Sequence, residues 1–107
     1  MDIWSHVRAL EGKTARTLDR GRPFAITKVL PTRVLITTST GLPRTILRRE
    51  IEEAWKHLKR QGTLTRAQVM ASYSPFNPAY VVTILSRAPG VTHTLRPITL
   101  RVPGHRS

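Results

Sequence analysis

Two prolines in the stretch "SPFNPAY" constrain the fold more than any other feature of the sequence. Proline fixes φ, lacks a backbone N–H and disfavours helical geometry in the residue before it, so Pro75 must end a helix. Pro78 suits the first position of a new helix, and Asn77 is a suitable N-cap for that helix. The stretch therefore predicts a helix over 65–73, a sharp corner, and a second helix over 77–87.

The two predicted helices carry further local signals. Thr65 and Gln68 have the spacing of a capping box, and Phe76 can pack on Val81 as a hydrophobic staple. One stripe of the second helix is apolar and consists of Val81, Ile84, Leu85 and Ala88. On a helical wheel Thr83 and Arg87 lie on the opposite side, with Tyr80 at the border. We expect that outer face to point into solvent.

The sequence before the corner predicts a helix, a group of strands and another helix. Residues 2–11 have apolar residues at helical spacing. Residues 14–48 contain segments rich in β-branched residues, separated by turns, and these predict a small antiparallel β-meander. Residues 49–61 have an apolar stripe at i, i+3, i+4 and i+7, which predicts the clearest amphipathic helix of the chain.

After the corner, residues 91–102 read as a hairpin with Arg96 at its tip and Arg101 along one arm. The second half thus contains, in order, helix 49–61, helix 65–73, the corner, helix 77–87 and hairpin 91–102. This order resembles the winged helix-turn-helix superfamily, a fold-level likeness that covers about half of the chain. The resemblance implies that helix 77–87 enters the DNA major groove while the hairpin touches the backbone or the minor groove.

The predicted fold class is therefore α+β, a small antiparallel β-meander with an N-terminal helix followed by a three-helix, winged-helix-like half. We assign residues 1–48 to a first subdomain and residues 49–103 to a second. Residues 104–107 read as a tail.

The charge pattern indicates what the chain binds. It holds 18 Lys and Arg against six Asp and Glu, for a net charge of +12, and fourteen of the basic residues are Arg. All six acids lie at or before Glu53. Guanidinium groups match phosphates and guanine edges, so this asymmetry predicts a polyanionic partner.

We therefore expect a nucleic-acid-binding protein that contacts duplex DNA, as a transcription regulator or as a recognition module of a larger system. Four residues of the second corner helix would supply base readout. They are Asn77, Tyr80, Thr83 and Arg87. Arg66, Arg96 and Arg101 would hold the phosphate backbone.

Two other functions compete with DNA binding. An RNA-binding module would stack unpaired bases on Tyr73, Phe76 or Tyr80. A protein-interaction adaptor would recognise an acidic partner. The sequence leaves open a homodimer or a larger complex.

The sequence contains no recognisable catalytic motif. There is no cysteine, no phosphate-binding glycine loop and no nucleophile or zinc motif, and the four histidines have no ligand spacing. We expect neither catalysis nor a cofactor nor a metal. No apolar run approaches the ~18 residues of a membrane span, and the N-terminal stretch lacks the pattern of a signal peptide. These features predict a cytoplasmic protein.

Overall fold

The computed structural model describes residues 2–103 and confirms the α+β fold. Four helices and seven strands occur in this range. In chain order they are α1 (Ile3–Ala9), β1 (Thr14–Arg16), β2 (Pro23–Val29), β3 (Arg33–Thr37), β4 (Pro43–Leu47), α2 (Arg48–Gln61), β5 (Thr63–Thr65), α3 (Arg66–Ser72), α4 (Pro78–Ser86), β6 (Thr92–Leu95) and β7 (Ile98–Arg101). The predicted tail, residues 104–107, lies outside the described residues.

The predicted N-terminal helix and meander are both present. Asp2 caps α1 by accepting a hydrogen bond from the Trp4 backbone N–H at 3.1 Å, and the Trp4 ring is buried. The next four strands form an antiparallel sheet in the order β1-β2-β3-β4, which we call sheet A. Its register shifts at a bulge in β2 between Ile26 and Lys28. One face of sheet A packs on the core, as the alternating burial of β2 and β3 requires.

The second half has the predicted three helices and hairpin, and one strand that we did not predict. Strand β5 is only three residues long and pairs with β7, giving a small sheet B in the order β5-β7-β6. The capping box of α3 is confirmed, because Thr65 Oγ1 accepts from the Gln68 N–H at 3.1 Å and Gln68 Oε1 accepts from the Thr65 N–H at 2.9 Å. A strand of three residues such as β5 carries too little periodicity to be recognised from the sequence.

Helix α4 is buried on nearly every side. Six of its nine residues are inaccessible or almost so: Pro78, Val81, Val82, Thr83, Ile84 and Leu85. The expectation that the Thr83 side of this helix points into solvent is wrong. Thr83 Oγ1 accepts a hydrogen bond from the Leu18 N–H at 3.2 Å and donates one to the Ala79 carbonyl at 2.8 Å, so the helix packs on the β1–β2 connection through this side.

A single apolar core runs through both predicted subdomains. It includes Trp4 and Val7 of α1, the inward residues of sheet A, the stripe of α2 and most of α4. His6 Nε2 lies 3.0 Å from the Ile84 carbonyl and joins α1 to α4. The predicted boundary between residues 48 and 49 therefore falls in the first turn of α2, just after β4, inside one continuous core.

The buried Thr83 hydroxyl gives a stability prediction. Substitution of Thr83→Val keeps the shape of the side chain but leaves the Leu18 N–H without its partner. We expect the free energy of unfolding to fall by about 1 kcal/mol in urea titrations, because the half-buried Leu18 N–H would lose its acceptor. Thr94→Val, on the exposed strand β6, is the matched control. An equal effect of the two substitutions would contradict this account of α4.

Candidate nucleic-acid interface

Asn77, the first residue predicted to read bases, is occupied inside the protein. Its side chain is 7% exposed, and its Nδ2 donates to the Thr45 carbonyl at 3.2 Å. Asn77 stands at the N-cap position of α4, yet its side chain makes no capping hydrogen bond. It instead covers the outer edge of β4, where an unpaired carbonyl would otherwise remain.

Tyr80 is likewise used to hold α4 on sheet A. Its ring meets Phe24 edge-to-face with centroids 5.0 Å apart, and the Arg44 guanidinium lies 6.0 Å from the Tyr80 ring centroid. With Asn77 and Thr83 buried, Arg87 is the one exposed member of the four residues predicted to read bases. The prediction that α4 offers Asn77, Tyr80 and Thr83 to a DNA groove is corrected, because sheet A covers that side of the helix.

The turn between β1 and β2 draws several arginines together instead. Leu18, one residue before Asp19, donates its backbone N–H to Thr83. Asp19 Oδ2 lies 3.8 Å from Arg66 Nε. Arg87 stands one helical turn beyond Thr83 and therefore lies on the same side of α4. Both Arg66 at the start of α3 and Arg87 at the end of α4 consequently border this turn.

The turn contributes three arginines of its own. Arg16 Nη1 donates to the Gly21 carbonyl at 3.0 Å, and the Arg22 N–H donates to Thr17 Oγ1 at 3.1 Å, which fixes the turn. Gly21 has φ of +64°, a left-handed geometry that favours glycine. All three side chains, those of Arg16, Arg20 and Arg22, are exposed. Sequence reasoning missed them as site residues, although "DRGRP" already joined a turn signal to two arginines.

The pairing of sheet B separates the two hairpin arginines. Thr65 pairs with Thr99, so the hairpin tip carrying Arg96 lies at the same end of sheet B as Arg66. Arg101 pairs with Thr63 and Thr92 at the other end, about 10 Å along the strand. We define the arginine cluster by the six residues that border the β1–β2 turn or this end of sheet B. They are Arg16, Arg20, Arg22, Arg66, Arg87 and Arg96.

The carboxylates do little to neutralise this surface. Asp2 caps α1, Glu11 accepts from the Val29 N–H at 2.7 Å, and Glu50 accepts from the Leu47 N–H at 2.8 Å. Glu52 and Glu53 pair within α2 with Arg48 and Lys56. Asp19 alone lies against the arginine cluster. The six arginines of the cluster therefore keep a net positive charge.

The three aromatic residues considered for base stacking are placed very differently. Tyr80 packs on Phe24, and the Tyr73 hydroxyl lies 2.7 Å from His57 Nδ1. Phe76 is 81% exposed, so the predicted staple onto Val81 is wrong. The rigid corner carries the ring away from the core. Within residues 2–103, Phe76 is thus the aromatic side chain most open to a partner.

Comparison of the chain with protein-family models, with curated proteins and with solved structures gave no match. No group of three or more His, Cys, Asp or Glu side chains in residues 2–103 is arranged to hold a metal ion. None of the helices in the same range has both the length and the apolar character that a membrane crossing requires.

His57 gives a pH-dependent prediction. Burial and the nearby Arg60 lower the pKa of His57 below its usual 6.5. The unfolded chain then binds the proton more readily, so stability should fall as the pH drops below about 6.5 towards the folded-state pKa. As the pH is lowered from 7.5 to 5, the midpoint of denaturant unfolding should decline less steeply in His57→Gln than in the wild type. His93→Gln, on an exposed strand, is the control and should follow the wild type.

Proposed function

We propose that this protein binds duplex DNA through the arginine cluster, as a regulator or as a recognition module. The observation that supports this most directly is the convergence on one turn. The Leu18–Thr83 hydrogen bond and the Asp19–Arg66 ion pair bring the β1–β2 turn, α3 and α4 together, and each of these segments contributes exposed or half-exposed arginine. Arginines carried on segments that meet in this way suit a polymer of phosphates.

The mode of binding that we propose differs from the one expected from the sequence. Of the residues expected to read base edges, Asn77 and Thr83 are buried and Tyr80 is half-buried, whereas Arg87 and the residues expected to contact phosphates are exposed or half-exposed. Contacts of this kind position a protein on a duplex but carry no sequence information. We therefore propose that affinity comes mainly from counterion release, with a slope of log affinity against log salt of roughly −5 for about six phosphate contacts.

Of the features that resemble a winged helix, only the hairpin contributes to this proposal. The order α2, β5, α3, α4, β6 and β7, with β5 paired to β7, is compatible with a hairpin that lies against the DNA backbone. In this arrangement Arg96 extends the arginine cluster at the tip. Arg101 would contact a phosphate further along the duplex, because it lies at the opposite end of sheet B.

Charge removal at the β1–β2 turn tests the interface. The double substitution Arg20→Ala and Arg22→Ala should lower affinity for a 20-base-pair duplex and reduce the magnitude of the salt slope by about 2, since two phosphate contacts are lost. Fluorescence anisotropy titrations at several salt concentrations would measure both quantities.

A second double variant controls for net charge. Lys28→Ala with Arg33→Ala removes two positive charges near the β2–β3 connection, at the other end of sheet A and about 20 Å from the β1–β2 turn. It should change the salt slope much less. Equal losses from the two double variants would mean that binding follows net charge alone, and the assigned interface would be incorrect.

Arg87 tests whether α4 contributes to sequence recognition. We expect Arg87→Ala to weaken binding to unrelated duplexes by the same factor, because its guanidinium would contact phosphates. Competition titrations with several duplexes of different sequence give that factor directly. A loss of affinity confined to one duplex sequence would instead indicate that Arg87 on α4 reads bases.

A further inference from the structure

The three strands of sheet B repeat threonine at alternate positions. Thr63 and Thr65 lie in β5, Thr92 and Thr94 in β6, and Thr99 in β7. Side chains two residues apart on a strand point to the same face, and residues directly opposite each other on antiparallel strands share that face. Whether all five threonines lie on one side of sheet B is therefore decided by its pairing register.

The register places all five on the same face. In one row Thr99 of β7 lies between two threonines, and in the next row Arg101 does. Leu64 and Leu100 belong to the other face and are fully buried, so the threonine side is turned away from the core. We define the threonine face by its six residues, which are Thr63, Thr65, Thr92, Thr94, Thr99 and Arg101.

The exposed part of the threonine face lies on β6 and at the end of β7. Thr65 Oγ1 is used by the Gln68 N–H, and the Thr99 hydroxyl donates to the Pro97 carbonyl at 3.3 Å. The hydroxyls of Thr92 and Thr94, in contrast, have no hydrogen-bond partner among residues 2–103, and both residues are exposed. Arg101, in the neighbouring strand, is exposed as well. Two hydroxyls and one guanidinium are thus available to a partner.

The composition of the threonine face favours a phosphate backbone over a protein surface. Sheet B lies beyond Glu53 in the sequence, so none of its strands carries an acidic residue, and Arg101 adds positive charge. The centre of a protein–protein interface is usually apolar and often aromatic, and this face has neither kind of large side chain. Phosphate oxygens accept hydrogen bonds from threonine as well as from arginine.

We infer that Thr92, Thr94 and Arg101 bind the phosphate backbone of duplex DNA, with both hydroxyls donating to phosphate oxygens beside the guanidinium. This inference rests on the proposed function, because it adds neutral hydrogen bonds to a DNA that the arginine cluster holds by charge. A neutral hydroxyl displaces no counterion from DNA. The threonine face should therefore contribute to affinity without contributing to its salt dependence.

The test removes the two hydroxyls while keeping charge and side-chain shape. The double substitution Thr92→Val and Thr94→Val should weaken binding to a 20-base-pair duplex about tenfold, as two hydrogen bonds of ordinary net strength allow. The slope of log affinity against log salt should stay at the wild-type value. Arg101→Ala should instead reduce the magnitude of that slope by about 1, because one phosphate contact is lost. Fluorescence anisotropy titrations at several salt concentrations measure both quantities.

Two further double variants separate hydroxyl contact from other effects. Thr92→Ser with Thr94→Ser keeps both hydroxyls and should retain most of the affinity. Thr32→Val with Thr45→Val removes two exposed hydroxyls outside sheet B, one in the β2–β3 connection and one in β4. This matched control should bind duplex DNA as the wild type does.

Each contrary result has a separate meaning. Wild-type affinity in the Thr92→Val and Thr94→Val variant, or an equal loss in the matched control or in the serine variant, overturns the assignment of the threonine face while the arginine cluster stands. A smaller salt slope in the valine variant does the same, since the loss would then come from displaced arginines. Tighter binding of an RNA duplex of the same sequence overturns the choice of DNA. Failure of the wild type to bind duplex DNA removes the proposed function together with this inference.

Discussion

The burial of α4 is the constraint on which the rest of the structure depends. Its apolar stripe faces the second half, while Thr83 and Tyr80 pack on the first half. A helix that is apolar nearly all round is stable only when both sides are covered. Sheet A provides that second cover, and this is why one core runs through residues from both predicted subdomains. The same packing closes the face that a reading helix would need.

Most acidic side chains bind to other groups within the fold, and the positive charge of the surface therefore stays largely unpaired. Asp2 and Glu50 satisfy backbone N–H groups at helix starts, Glu11 holds β2, and Glu52 and Glu53 pair within α2. With the carboxylates bound locally, most guanidinium groups in residues 2–103 make no ion pair. The fields of arginines add where separate segments bring them near one another, and this is the physical basis for proposing phosphate contact by the arginine cluster.

The β1–β2 turn and the corner between α3 and α4 expose different chemistry. The arginine cluster borders the β1–β2 turn and offers charge, whereas the corner beside β4 exposes the Phe76 ring next to a cavity whose lining includes Arg49, Glu50 and Glu53. Helix α4 links them, since Asn77 at its start binds β4 and Thr83 near its end binds the turn after β1. These two hydrogen bonds set the position of the corner relative to the turn.

Local signals were sufficient to predict the α+β class, the meander, the α3 capping box and the helices on either side of Pro75, because caps, prolines and periodicity act over a few residues. They could not place β5, whose three residues form a strand only through pairing with β7. They also misassigned Thr83, Asn77 and Phe76. A helical wheel divides a helix by polarity, but burial depends on which elements pack on each side, and the near-uniform apolar character of "YVVTIL" was the one hint available. The charge surplus was determined by the sequence alone. The approach of Arg66 and of α4 to the β1–β2 turn was decided by tertiary contacts, of which the Leu18–Thr83 hydrogen bond joins residues 65 positions apart.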